Sequence, residues 1–160
     1  MVTDQDRAFM QEAIRQAKLA AERDEVPVGA VITHRNHIIA RAHNQVELLK
    51  DPTAHAEMIA ITQATHYLAN KWLPECQLYV TIEPCSMCAG ALVLARIKRL
   101  CFGAFDPKAG ACGSVVDIIR HPKLNHRVEV AAPVMEEFCS SLMSAFFQKK
   151  RGVGRAKKPA

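Results

Sequence analysis

Two short runs in this 160-residue chain, His55-Ala56-Glu57 and Pro84-Cys85-Ser86-Met87-Cys88, contain residue types that can do chemistry together. Each is read as opening a helix after a strand or loop. Cys85 and Cys88, three positions apart, put both sulfurs on one helical face, close enough to share a tetrahedral metal. A helix N-terminus favours anions, so both thiols ionise more easily to the thiolate that a metal needs. His55 supplies a third ligand, and no fourth strong ligand stands at motif-like spacing. Structural zinc closes with four protein ligands, whereas three plus an open position hold a water whose pKa falls to about 7. Glu57, beside His55, is placed to accept a proton from such a water and pass it to a leaving group.

Taken singly, these residues say less. A C-x-x-C pair can be a redox site, but that reading goes with a thioredoxin-like βαβ pattern and no H-x-E upstream. His55 alone reads as a satisfied helix-start histidine, and Glu57 alone as a solvated first-turn acid. Jointly, H-x-E followed by P-C-x-x-C is the signature of zinc deaminases that act on nucleobases. Cys76, Cys101, Cys112 and Cys139 are scattered and read as small core or loop residues. His34, His37, His43, His66, His121 and His126 belong to no paired motif and read as surface or packing residues.

The elements that must position the two runs follow from periodicity. Phe9, Met10, Ala13, Ile14, Ala17 and Ala20 recur at helical spacing over about Asp4 to Arg23, with Thr3 as N-cap. VGAVIT (28–33) and HIIARAH (37–43) are β-rich runs joined by His34-Arg35-Asn36, which predicts an antiparallel hairpin. A helix from about Ala54 to Ala69 comes next, then a strand at 77–83. Pro84 is read as the first residue of a helix to about Arg96, where its missing N–H costs nothing. A strand at 99–104, a Gly-rich loop at 106–114, a short strand around 127–131 and a last amphipathic helix after Pro133 complete the order. That succession predicts an α/β protein, a mixed sheet with helices on both faces.

Length fits one domain, 1–150, followed by a basic tail at 151–160. With 49% hydrophobic and 23% charged residues the composition excludes a disordered or collagen-like chain. No stretch approaches the roughly 20 apolar residues of a membrane span. Charges at Asp4, Asp6 and Arg7 stand where a secretory signal would be apolar, which predicts a cytoplasmic protein with reduced cysteines. The net charge is +5, but Lys149, Lys150, Arg151, Arg155, Lys157 and Lys158 bring six cations and no acid into 148–160. Of 21 basic residues 15 then remain against 16 acidic ones, so the body stands at −1. Such an appendage reads either as an arm for phosphates or as a solvated end.

DPTAHAE (51–57) and EPCSMCAGAL (83–92), with VGAVI (28–32), ARIKRLCFGAFDPKAGACGS (95–114) and NHRVEV (125–130), resemble the bacterial tRNA-specific adenosine deaminases of the cytidine deaminase-like superfamily. The resemblance runs over most of the chain. It implies a three-layer α/β/α fold around a central mixed five-stranded sheet and one Zn2+ per subunit on His55, Cys85 and Cys88. Glu57 would shuttle protons during hydrolysis of adenosine to inosine, with no organic cofactor. Asn44, the backbone of Ala56, Val28 and Asp106 would form the substrate pocket, and Lys108, Phe147, Lys149, Lys150 and Arg151 would touch nucleic acid. The implied partners are a tRNA anticodon stem-loop and a second copy in a homodimer. Phe105 and Cys112 depart from the family pattern, at positions where a relative carries a basic residue and where alanine is common. Two other functions share parts of these motifs. A guanine-type deaminase of free bases has the same zinc motif but no use for the basic tail, and a non-catalytic zinc-stabilised RNA-binding module would have four ligands and no role for Glu57.

Overall fold

The protein is described from a computed structural model over residues 1–156. Its elements are α1 (Asp4–Glu22), β1 (Gly29–His34), β2 (His37–His43), α2 (Val46–Leu49), α3 (Ala56–Leu68), β3 (Cys76–Ile82), α4 (Ser86–Leu94), β4 (Arg99–Ala104), β5 (Glu129–Ala131) and α5 (Glu136–Ala156). One five-stranded sheet has the order β2-β1-β3-β4-β5. β1 pairs antiparallel with β2 and β3, whereas β3, β4 and β5 run parallel. The sheet is mixed and helices cover both faces, as expected from the cytidine deaminase-like pattern.

Alternation along the strands sorts the core into two layers, because successive side chains of a strand point to opposite faces. Ala30, Ile32, Leu78, Val80, Leu100 and Phe102 face the side that holds Ala56, Ala60 and Ala64 of α3 and Ala89 and Leu92 of α4. Val31, Tyr79 and Cys101 face the other side, with Met10, Ala13 and Ile14 of α1 and Cys139 of α5. Gly29 lets α1 lie against β1, since a Cβ there would overlap the Ala13 carbonyl and the Ala17 amide. Thr3 caps α1 as predicted and forms a reciprocal capping box with Asp6.

Asp6 also ties α1 to the sheet. Its carboxylate accepts from Arg99 at 2.7 and 2.9 Å and from the Tyr79 hydroxyl at 3.0 Å. The Arg99 hydrogen bond holds the Asp6 carboxyl well below its ordinary 3.8. A depressed folded-state pKa contributes stability above the unfolded value and loses it as pH falls through the folded one. Asp6→Asn is therefore expected to cost about 1.5–3 kcal/mol at neutral pH, by removing the charged hydrogen bonds to Arg99, which keeps only Gln77 and the more distant Glu129. Urea midpoints measured from neutral pH to about pH 2.5 should fall steeply in acid for the natural chain and much less for the variant.

Most boundaries shift by a residue or two from the sequence reading, and three departures bear on the site or the tail. α4 begins at Ser86, and Pro84 lies outside it, because Cys85 is in extended conformation at the N-cap. The four-residue α2 follows β2, too short to carry a periodic signal. α5 runs to Ala156, beyond the boundary drawn at 150. Lys149, Lys150 and Arg151 are good helix formers and their charge suits a helix C-terminus, so the helix runs past 150 in spite of Gly152 and Gly154. Lys157 and Lys158 lie outside the described residues.

Candidate active site

β3 delivers the chain to Cys85, the N-cap of α4, and the loop after α2 delivers it to His55, the N-cap of α3. Neither side chain caps its own helix, so both are left for another ligand. The two helix starts converge. His55 Nδ1 lies 3.6 Å from both Cys85 Sγ and Cys88 Sγ, and the three ligand atoms all lie within 4.8 Å of one another. A tetrahedron with Zn–S about 2.3 Å and Zn–N about 2.0–2.1 Å has N···S edges of about 3.5–3.6 Å, so the residues fit zinc. Among the described residues this group has three members. That count matches a site with an open position and not a closed structural one.

Hydrogen bonds from Cys88 and then His55 push the Cys85 thiol down to about 3, making it the ready thiolate of the pair. Its contact with Cys85 in turn raises His55. Glu57, in the first turn of α3, is 3% exposed and borders the same space. Burial raises its carboxyl above the ordinary value, the direction that suits an acid required both to take and to release a proton.

Above the group opens a cavity of about 710 Å³, within the usual range for small-molecule sites. Val28, Asn44, His55, Glu57, Cys85 and Asp106 all line it, although they come from separate parts of the chain. Asn44 Oδ1 accepts from the Ala56 amide at 2.8 Å and so satisfies a donor at the start of α3. What Asn44 can offer a ligand is its amide N–H pair. Ala56 itself is fully buried and does not line the cavity; it acts through Asn44. Asp106 Oδ1 accepts from the amides of Lys108 and Ala109, closing the turn that starts the Gly-rich loop.

The basic residues separate. Phe147 and Lys150 of α5 border the cavity, and Lys150 Nζ lies 3.0 Å from Asp24 at its rim. Lys108 and Arg151 line an adjoining hollow of about 610 Å³ with Phe105, Asp106 and Phe147. Phe105 is 47% exposed, and its ring packs edge-on against Phe102. Lys149 sits apart, in a hollow between α1 and α5. The remaining cysteines 76, 101, 112 and 139 are buried and unbridged, as read from their scatter. His126 Nε2 contacts the Ile97 carbonyl at 2.6 Å, a packing role.

Sequence reasoning misses two buried acids. Glu25 accepts from the Glu47 and Leu48 amides and fixes α2 beside the cavity. Glu83 accepts from the Asp106, Cys112 and Ser114 amides and from the Ser114 hydroxyl. Burial pushes the Glu83 carboxyl up, but these donors outweigh it and hold it below its ordinary value. Glu83 opens the EPCSMCAGAL run, yet nothing in the spacing of that run tells what the acid holds.

A mixed sheet that brings a His/Cys/Cys group and a buried acid to two helix starts defines a deaminase, and the family described as MafB19-like deaminase matches residues 3–151. The chain is 53% identical over 143 residues to a tRNA-specific adenosine deaminase of Aquifex aeolicus, covering 89% of this chain and 94% of that one. It is 48% identical over 147 residues to the Bacillus subtilis tRNA-specific adenosine deaminase, covering 92% and 91%. A structure solved in work on A-to-I editing by tRNA:A34 deaminases at the wobble position superposes with a TM-score of 0.82 at 44% identity, over 84% of this chain and 98% of that one. The chain belongs to the tRNA-specific adenosine deaminase family.

Proposed function

We propose that the chain hydrolyses adenosine to inosine at the wobble position of a tRNA anticodon loop, with the cavity over His55, Glu57, Cys85 and Cys88 as the base pocket. The observation that carries the reading is a three-membered ligand group with a buried glutamate beside it, both opening on one cavity. His55 Nδ1 and the two sulfurs would hold one zinc per subunit, which when bound supplies Lewis acidity toward water. One carboxylate oxygen of Glu57 takes a proton from the attacking water and gives it to the purine ring nitrogen. A C6–O bond forms; Glu57 then takes the remaining proton from the new C6 hydroxyl and delivers it to the exocyclic amino group, whose bond to C6 breaks to release ammonia and leave the C6 carbonyl. The Asn44 amide donates to the base, Val28 supplies apolar wall, and Asp106 meets the neighbouring nucleotide. No organic cofactor has a part in this chemistry. An anticodon loop suits the site because its bases are already unpaired, so extruding one costs little.

Phe147, Lys108, Lys150 and Arg151 would meet the flanking bases and phosphates, with Lys149 nearby. Lys149→Gln with Arg151→Gln is expected to lower the slope of log affinity against log salt by about 0.7–0.9 for each phosphate no longer neutralised. Titrating a labelled stem-loop at several salt concentrations checks it; an unchanged slope would return both residues to a solvated end. The reading includes a homodimer, as the family resemblance implies. It includes action in the cytoplasm, supported by six unbridged cysteines and by the lack, among described residues, of a helix long and apolar enough to cross a membrane.

The test is ammonia release and inosine formation by the zinc-loaded protein on an anticodon stem-loop with a wobble adenosine, beside free adenosine, guanine and cytidine. Inosine confined to the stem-loop is the expected result. Ammonia from a free base or nucleoside alone would keep the metal group and Glu57 but move the reading to a small-molecule deaminase.

A further inference from the structure

Glu83 stands directly before the Pro84-Cys85 ligand segment and is 2% exposed. Among the described residues no Lys, Arg or His forms an ion pair with it. A buried carboxylate is costly unless its lone pairs are filled by donors. The donors to the Glu83 carboxylate all come from one loop. Oε1 accepts from the Asp106 amide at 3.1 Å and from the Ser114 hydroxyl, and Oε2 accepts from the Cys112 amide at 3.0 Å and the Ser114 amide at 3.1 Å. The loop closes around the acid so tightly that a Cβ on Gly110 would overlap the carboxylate. Backbone contacts run in parallel: Glu83 N–H donates to the Ala104 carbonyl and Ala111 N–H to the Pro84 carbonyl, each at 2.8 Å. The same loop brings Asp106 and Ala109 to the cavity and Lys108 to the adjoining hollow.

From this juxtaposition we infer that Glu83 is a positioning residue for substrate recognition, an acceptor-only hub that pins loop 106–114 at a set distance from the metal-ligating turn. It borders the cavity, but both of its carboxylate oxygens are taken up by the loop's donors and it is not one of the three ligand residues. Its effect is to fix where Asp106 and Lys108 stand when the RNA arrives. The inference rests on the deaminase reading given under Proposed function for what those residues meet.

Glu83→Gln tests it, because the glutamine NH2 would face an amide or hydroxyl that is itself a donor. KM for the stem-loop is expected to rise about 10–100-fold, from the loss of hydrogen bonds to a charged group. Expected alongside are a kcat within about threefold of the natural chain, one zinc retained per chain, and faster hydrogen exchange at the Cys112 and Ser114 amides but not in α3. Glu83→Asp, which keeps two acceptors on a shorter stem, should recover part of the loss. Should Glu83→Gln fail to fold, Ser114→Ala decides, since it removes one donor at an exposed residue and should raise KM by about 3–10-fold. Loss of zinc, a fall in kcat at constant KM, or unchanged KM and exchange would each overturn the inference. If the natural chain ignores the stem-loop but accepts a free base, the RNA reading fails. KM for that base and the exchange at Cys112 and Ser114 then judge Glu83 independently.

Discussion

Glu57→Ala is expected to fold, to bind one zinc per chain, and to deaminate the stem-loop at least about 10²–10⁴-fold more slowly than the natural protein. Glu57 stands outside the ligand group, so its removal leaves His55, Cys85 and Cys88 as they are. It lies buried at the base of the cavity, where bulk water cannot easily replace it as a proton carrier. On the proposed reading the loss should fall on kcat with KM little changed, since the carboxylate would act on protons while Asn44 and the 106–114 loop would still bind the RNA. Single-turnover inosine formation, paired with metal analysis and a stem-loop binding isotherm, separates these quantities. Turnover near the natural rate would remove Glu57 from its role, and loss of zinc would make it part of the metal site.

Breaking the ligand group is expected to have the larger effect. Cys88→Ala leaves two of the three ligand residues, too few to hold zinc firmly, and activity should fall below detection. Chelation of the natural protein should do the same, reversibly, with activity returning as zinc is restored to one per chain. A second readout is independent of turnover. A ligand that binds only the folded state adds stability, about 4 kcal/mol at a thousand times its dissociation constant, so the chelated protein should melt several degrees lower. Cys88→Ala should melt like the chelated protein and gain nothing from added zinc. Cys139→Ala offers a contrast: Cys139 is buried against α1 and the sheet, so its loss should lower the melting temperature while zinc content stays at one. Full activity in chelated protein would refute the metal-dependent reading.

Much of this site is legible in the residues. Three-residue spacing of Cys85 and Cys88 and the H-x-E run are local features, and helix starts are positions where local sequence speaks clearly. Thr3 with Asp6 is a capping box that can be read directly, and it is found. The short α2 is not legible, because four residues make barely one turn and Glu25, which holds it, is 22 and 23 residues away from its donors. Glu83 is hidden for the same reason, its partners lying 23 to 31 residues further on. The family resemblance puts Asn44 in the pocket, but the engagement of its oxygen by Ala56 N–H is not legible. A hydrogen bond between residues 12 apart depends on how β2 meets α3.

The sequence by itself determined which atoms are available: one imidazole, two thiols and one carboxylate at helix starts, an alternating set of strands, and a cationic C-terminal end. These are settled within a turn of helix or a few residues of strand, the range over which propensity, capping and periodicity act. The tertiary structure alone decided that His55 and the two sulfurs meet at 3.6 Å, that Glu57 is buried beside them, and that one buried glutamate holds loop 106–114 to the ligand turn. The physical reason is sheet register. β3 lies between an antiparallel β1 and a parallel β4, and this pairing brings distant segments together at one end of the strands, beyond the C-terminal ends of β3 and β4, where their side chains share a cavity.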